Sequence, residues 1–398
     1  MHPRTKPSEI RYHMTHSGYS FSCGRKLFVA VCFLLFILPA RADFEAGVQA
    51  LERRDYELAV ETFLQLAERG DAISQYVLAS LYADGKGVVR DYEKAAHWFR
   101  EAALWGDIAA QFSLGHMYAE GLGVPQDDQE AAKWHQLAAR HGDADAQNAL
   151  GALFAQGRGV ERDQAKAIVW FRQAANQNHT TAQANLGVIY AEGRGVEKDA
   201  EAAFAWFEKA AKGNEPLAFF GLAEAFRRGQ GVEKNLTLAA RWYRRAAEYE
   251  HVAAQYNLAQ MLRLGTGIKR DLIRAAEWYR RAAINDHAKS QYNLAYLYAQ
   301  GQGVEQSFLQ AAHWYRLAAK RGLSDAQTNL GVLYANGSGV EQDSLLAYAW
   351  WKIAGDAGDS QALANHETLA QQLNIAQREA AEATLKKLRE DLPQTHTR

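Results

Sequence analysis

Thirteen histidines, two cysteines, a recurring Gly-x-Gly loop and a set of off-pattern aromatics and arginines are the places where this 398-residue chain could do chemistry. Imidazoles could hold a transition metal, a thiolate could act as a nucleophile, and a glycine-rich loop could cradle phosphate. His179, His251 and His287 occupy equivalent positions, but Glu215 stands between the first two in that series. A metal there would need side chains from separate units to converge, so solvated loop histidines are expected. His135 stands where other units have Phe, Tyr or Trp and reads as a tolerated substitution at a core edge. A phosphate-binding Gly-x-Gly needs a strand before it, and here a helical pattern precedes it. No His-Glu-x-x-His, nucleophile elbow or paired Cys/His spacing occurs, so the sequence implies no enzyme, no metal and no cofactor. The alternative, an envelope-associated enzyme or metal-dependent protein without a recognisable motif, has no constellation to carry it. Interface chemistry is better represented. Phe220, Arg227, Tyr256, Arg263, Tyr292 and Tyr296 combine rings that bury area with guanidiniums that pair carboxylates.

The elements that position these residues repeat. Gly-x-Gly followed by Val or Ile begins at Gly85 and recurs every 36 residues to Gly337, and a tryptophan follows each loop at one offset, from Trp98 to Trp350. In the unit 143–178, Ala146, Leu150, Leu153 and Phe154 lie on one helical face of a first helix, A. After the loop, Ala167, Trp170, Phe171, Ala174 and Ala175 do the same for a second, B. Position 163 and its equivalents are Asp, Asn or Ser, strong N-cap residues, and B ends in a column of mostly Gly and Asn that suits a left-handed terminator, with Glu250 the exception. Ala is invariant in the Ala95 column and Gly or Ala in the Ala79 column, so large residues, the tryptophans among them, are expected to fill the core between closely approaching helices.

The run Asp143-Ala144-Asp145-Ala146-Gln147-Asn148-Ala149-Leu150-Gly151, with Gly157-Arg158-Gly159-Val160 and Trp170, resembles the Sel-one-like repeat (SLR), a relative of the tetratricopeptide repeat. The resemblance implies an all-α, right-handed superhelical solenoid of antiparallel helix pairs whose A helices line a concave surface, working as a protein-binding scaffold or adaptor. Some members join their helices by disulfides; this chain has no cysteine columns, and that property is not carried over.

The expected organisation is a signal peptide at 1–42, a capping helix pair at 43–70, eight repeats at 71–358 (71–106, 107–142, 143–178, 179–214, 215–250, 251–286, 287–322 and 323–358), and capping helices with a tail at 359–398. The leader rests on a basic segment ending in Arg25 and Lys26, an apolar run from Leu27 to Leu38, and Ala40-Arg41-Ala42 as a cleavage site. That run is shorter than the roughly 20 residues a spanning helix needs. Cleavage after Ala42 would leave a periplasmic or secreted chain with no stable anchor and without Cys23 and Cys32.

Charge is balanced over the whole chain, with 45 basic and 46 acidic residues, which gives no support to nucleic acid as a partner. It is uneven along it: residues 71–142 carry 6 basic and 10 acidic side chains, and 217–288 carry 12 and 7. On helix A the stripe opposite the core runs through Asn148, Ala152 and Ala155 and their equivalents. In the fifth to seventh units it gathers the six aromatic and basic residues named above, which suits an acidic protein or peptide partner.

Overall fold

The computed structural model describes residues 38–392, so the basic leader and nearly all of the apolar run lie outside the described residues. The chain divides between Glu215 and Pro216 into two compact units. The first contains α1 (Leu38–Glu52), α2 (Tyr56–Glu68), α3 (Ala72–Asp84), α4 (Tyr92–Leu104), α5 (Ile108–Glu120), α6 (Asp128–Arg140), α7 (Ala144–Gln156), α8 (Gln164–Asn176), α9 (Thr180–Glu192) and α10 (Ala200–Lys212). The second contains α11 (Pro216–Arg228), α12 (Leu236–Glu248), α13 (Val252–Leu264), α14 (Leu272–Ile284), α15 (Ala288–Gln300), α16 (Phe308–Lys320), α17 (Ser324–Asn336), α18 (Ser344–Asp356), α19 (Ser360–Gln372) and α20 (Ile375–Asp391). No strand occurs among the described residues. Within each unit the odd-numbered helices as far as α17 pack as A on their own B, and each B on the following A, the paired arrangement of a repeat solenoid, while α20 packs back on α18.

Local signals set the boundaries. Each B helix opens on its expected cap, as where Asp163 Oδ1 accepts from the Lys166 amide at 2.9 Å. Most A helices are capped as well, by Asp143 at 2.8 Å from the Ala146 amide and, in the histidine column, by Nδ1 of His179, His251 and His287 at 3.1, 3.2 and 3.2 Å from the amide three residues on, whereas α17 opens on Leu323 with no side-chain cap. These histidines are therefore N-caps and not solvated loop residues, because an unprotonated imidazole nitrogen replaces a carboxylate as acceptor for the free first-turn amide. B helices end at positive φ throughout, including Asn178 at 64° and Glu250 at 62°. In the loop, Gly157 closes α7 at φ 74°, and a Cβ on Gly159 would lie 1.9 Å from the Asp128 carbonyl oxygen of the preceding repeat. The second glycine thus exists for a backbone approach between repeats.

One expectation about the core is corrected. Tryptophans 98, 134, 170, 206, 242, 278 and 314 are half-buried, and only Trp350 is closed from solvent, at 3% exposure. The fully packed column is the next residue along, Phe99, His135, Phe171, Phe207, Tyr243, Tyr279, Tyr315 and Trp351. Adjacent helix residues point about 100° apart, and it is this second position that meets the small column on helix A: a Cβ on Gly151 would come within 2.9 Å of the Phe171 ring. The tryptophans instead pack one face on the core, with basic side chains over the other in some units, as with Lys209 at 4.2 Å from the Trp206 centroid. Trp350 differs because α20 brings Leu388 and Leu392 against its cluster.

Two further devices tie B helices to the next A. The glutamine column donates into the last turn of the preceding B, as in Gln147 Nε2 to the Ala139 carbonyl at 3.1 Å and Gln327 to Ala319 at 3.0 Å. An arginine on B reaches a tyrosine hydroxyl on the following A at Arg100–Tyr118, Arg172–Tyr190, Arg280–Tyr298 and Arg316–Tyr334, at 2.5–3.0 Å. The last pair of helices follows the expected cap: Asp359 opens α19, and Asn374 with Gln377 forms a capping box for α20.

Candidate functional site

All six residues singled out in the sequence lie in the second unit, on its A helices. Phe220 of α11, Tyr256 of α13 and Tyr292 of α15 occupy one column, each half-buried against the B-helix ring of its own repeat: Tyr243 at 5.9 Å, Tyr279 at 6.1 Å and Tyr315 at 5.8 Å between centroids. Phe220 also stacks on the capping His251 at 4.4 Å and 16°, and Tyr256 meets His287 at 4.8 Å. These rings therefore join successive repeats as well as facing outward. Tyr296, one turn beyond Tyr292, is the exposed member, at 38%.

The two arginines differ. Arg227 donates to both oxygens of Glu224, at 3.1 and 2.7 Å, and to the Tyr243 hydroxyl at 3.0 Å, while Tyr243 donates a short bond to Glu224 and Asn257 of α13 approaches it at 3.4 Å. Arg228 adds a second ion pair to Glu224 at 2.7 Å. Burial alone would raise the Glu224 pKa, but the bonds from Arg227 and Tyr243 and the two guanidinium charges outweigh it and hold the carboxylate below its usual value. Burial drives the Tyr243 hydroxyl up, and the Glu224 charge adds to that. Arg227 is thus already paired within its own chain. Arg263, by contrast, donates only to the neutral Gln260 Oε1, at 3.2 and 2.9 Å, and lies beside the buried Tyr279 hydroxyl, which completes no bond of normal geometry. No carboxylate pairs its charge among the described residues.

Elsewhere the expected open stripe is closed. Asn148, Ala152 and Ala155 are buried, at 8%, 1% and 2% exposure, as are Ala184 and Val188. Small side chains in the first unit let neighbouring helices seal that face, and Asn185 donates to Asn148 across two A helices at 3.2 Å. The sequence places Glu224 and Gln260 on the same stripe as the six residues without assigning them a role, and it missed the asparagine column of Asn185, Asn257, Asn293 and Asn329. The signal of that column was an amide at a position that other units fill with Val, Ser, Ala or Gly. His135 is not a core-edge residue: it is buried at 2%, its Nδ1 has no hydrogen-bond partner, and burial, helped by His116, pushes its pKa down to about 3. No group of three or more His, Cys, Asp or Glu residues positioned to hold a metal occurs among the described residues.

The repeat geometry is matched by comparison. The Sel1 repeat family model matches residues 72–107, 108–143, 144–179, 180–215, 216–248, 252–287, 288–323 and 324–359. The chain belongs to the Sel1-repeat family. These matches begin one residue after the repeats read from the sequence, at the first helical residue beyond each A-helix cap, and the fifth is the shortest. Among solved structures, a Sel1 repeat protein from Oxalobacter formigenes is 31% identical over 87% of this chain and 98% of its own, with a TM-score of 0.59. A protective antigen present in uropathogenic Escherichia coli strains, described as displaying an SLR fold, is 30% identical over 89% of this chain and 92% of its own, with a TM-score of 0.51. A search of curated protein sequences finds no match. Sel1-repeat proteins in general are protein-interaction scaffolds, and this one shares their fold.

Proposed function

We propose that this Sel1-repeat protein is an exported, non-enzymatic scaffold that holds an acidic protein or peptide along the A-helix strip of its second unit. The observation that carries the reading is Arg263, a guanidinium without a carboxylate partner among the described residues, set among Tyr256, Tyr292 and the exposed Tyr296. Aromatic area beside an available guanidinium is the composition of an interface hot spot. Arg227 contributes by fixing Glu224, which leaves a net positive charge on that rung because Arg228 shares the same carboxylate.

Tyr256 packs between repeats, so the informative double variant is Tyr296→Ala with Arg263→Glu. It should lower retention of the partner, recovered by co-precipitation from an envelope fraction, at least tenfold, about 1.4 kcal/mol or more, with an unchanged melting temperature. Lys269→Glu, an equal charge change in an exposed loop of the same unit, should leave retention intact; equal losses from both would reduce the effect to general electrostatics. Export rests on the leader pattern. Mass spectrometry of the purified protein should place the mature N-terminus at Asp43. A chain retaining 27–38 in a membrane fraction would refute cleavage.

A further inference from the structure

On the B-helix side of the second unit, between α12 and α14, a hollow of about 290 Å³ is lined by Arg244, Leu262, Arg274, Glu277, Trp278 and Arg281. Its position in the repeat explains it. Leu262 stands in the column of Tyr82, Tyr118, Phe154, Tyr190, Phe226, Tyr298 and Tyr334, and is the one member that is not aromatic.

Two contacts that recur in other repeats converge on the missing ring. Arg244 is the equivalent of Arg100, Arg172, Arg280 and Arg316, each of which donates to the tyrosine hydroxyl 18 residues on. Here the residue 18 on is Leu262, and Arg244 has no hydrogen bond or ion pair among the described residues. Arg274 is the equivalent of Lys94 and Lys166, whose ammonium groups sit over the Tyr82 and Phe154 rings at 5.2 and 5.5 Å. Its own ring is absent, and its side chain pairs only with the neighbouring Asp271, at 3.5 Å. Leu262, 2% exposed, forms an apolar wall. Arg281 lies over the Trp278 ring at 4.6 Å and completes the rim. A donor for a hydroxyl, a cation for a ring face and an apolar wall thus remain where the chain's own tyrosine is replaced by a smaller side chain.

We propose that this hollow binds a tyrosine side chain of an acidic peptide segment, its ring taking the place vacated at Leu262 and its hydroxyl accepting from Arg244. Three arginines against Glu277 of the lining and the Asp271 beside Arg274 leave a net positive charge, which selects a segment with negative charge beside the tyrosine. The site lies apart from the A-helix strip, and its failure would leave the scaffold reading standing.

The test follows the indole N–H resonance of Trp278 in the full chain while N-acetyltyrosine, N-acetylphenylalanine, N-acetylalanine or the capped peptide acetyl-Glu-Tyr-Glu-amide is added. N-acetyltyrosine should give a saturable shift at a concentration roughly fivefold lower than N-acetylphenylalanine, because only the phenol offers Arg244 an acceptor. The capped peptide should bind more tightly still. Leu262→Tyr, which restores the chain's own ring, should abolish the shift with a melting temperature equal to or above that of the parent. Arg244→Gln, a change at an exposed side chain, should weaken N-acetyltyrosine about tenfold whether or not the tyrosine variant folds well. Binding that survives in a folded Leu262→Tyr chain, or N-acetylalanine matching N-acetyltyrosine, would overturn the proposal. Tighter binding of N-acetyltyrosine than of the peptide would overturn the peptide as its source.

Discussion

Phe171→Ala should destabilise the chain by about 4 kcal/mol, roughly one and a half times the cost of Trp206→Ala. Phe171 is fully buried, with its ring against Gly151, in a cluster shared with Leu186 and Ile189 of the next repeat. Truncation removes the transfer energy of a ring and leaves a cavity in a layer only two helices thick. Trp206 is larger but half-open, and Lys209 covers part of its outer face. About 100 Å² of buried ring at about 25 cal/mol per Å² gives about 2.5 kcal/mol, with little cavity to add. Urea denaturation of both variants measures the difference. Equal losses would restore the tryptophans to the core.

The second large effect is on acid stability. His135 has a folded-state pKa of about 3 against an ordinary 6.5, lowered mainly by burial. A base whose pKa is depressed by folding contributes in full above 6.5, and its contribution falls as the pH drops from there toward 3. By about pH 4.5 the loss should be roughly 2–3 kcal/mol, since each pH unit below the unfolded value costs about 1.4 kcal/mol until the folded group titrates. His135→Phe puts the aromatic of the neighbouring repeats in this position and should flatten the acid limb. The comparison is the difference in unfolding free energy between about pH 7 and pH 4.5. A variant that keeps the parent's slope would assign the acid sensitivity elsewhere, and the capping histidines are the next place to look, because protonating Nδ1 turns a cap acceptor into a donor.

The fold was legible because its signals are local and repeated: Asp163 caps where a capping residue was read, and Gly142 and Asn178 terminate helices at positive φ as their types require. What the sequence did not show depends on how repeats meet. Trp170 and Phe171 are neighbours in one apolar pattern, and only the contact with Gly151 decides which of them is sealed. For the candidate strip, the column of Phe220, Tyr256 and Tyr292 could be drawn from the period, but the binding of Arg227 and Glu224 to Tyr243 could not, because it joins side chains across two helices. The hollow beside Leu262 was equally invisible until the arginine and tyrosine contacts of the other repeats gave it a template.

Phe219 has a different kind of consequence. At seven of eight equivalent positions a glutamine fastens each helix pair to the one before, and in the fifth a ring stands instead, stacked on Trp242 at 5.7 Å and covered by Arg245 at 4.5 Å, both in its own unit. An amide can carry a bond backward along the chain; a phenyl group cannot. Counted in such links, the fifth repeat starts a ladder of its own, whose rungs are Gln255, Gln291 and Gln327.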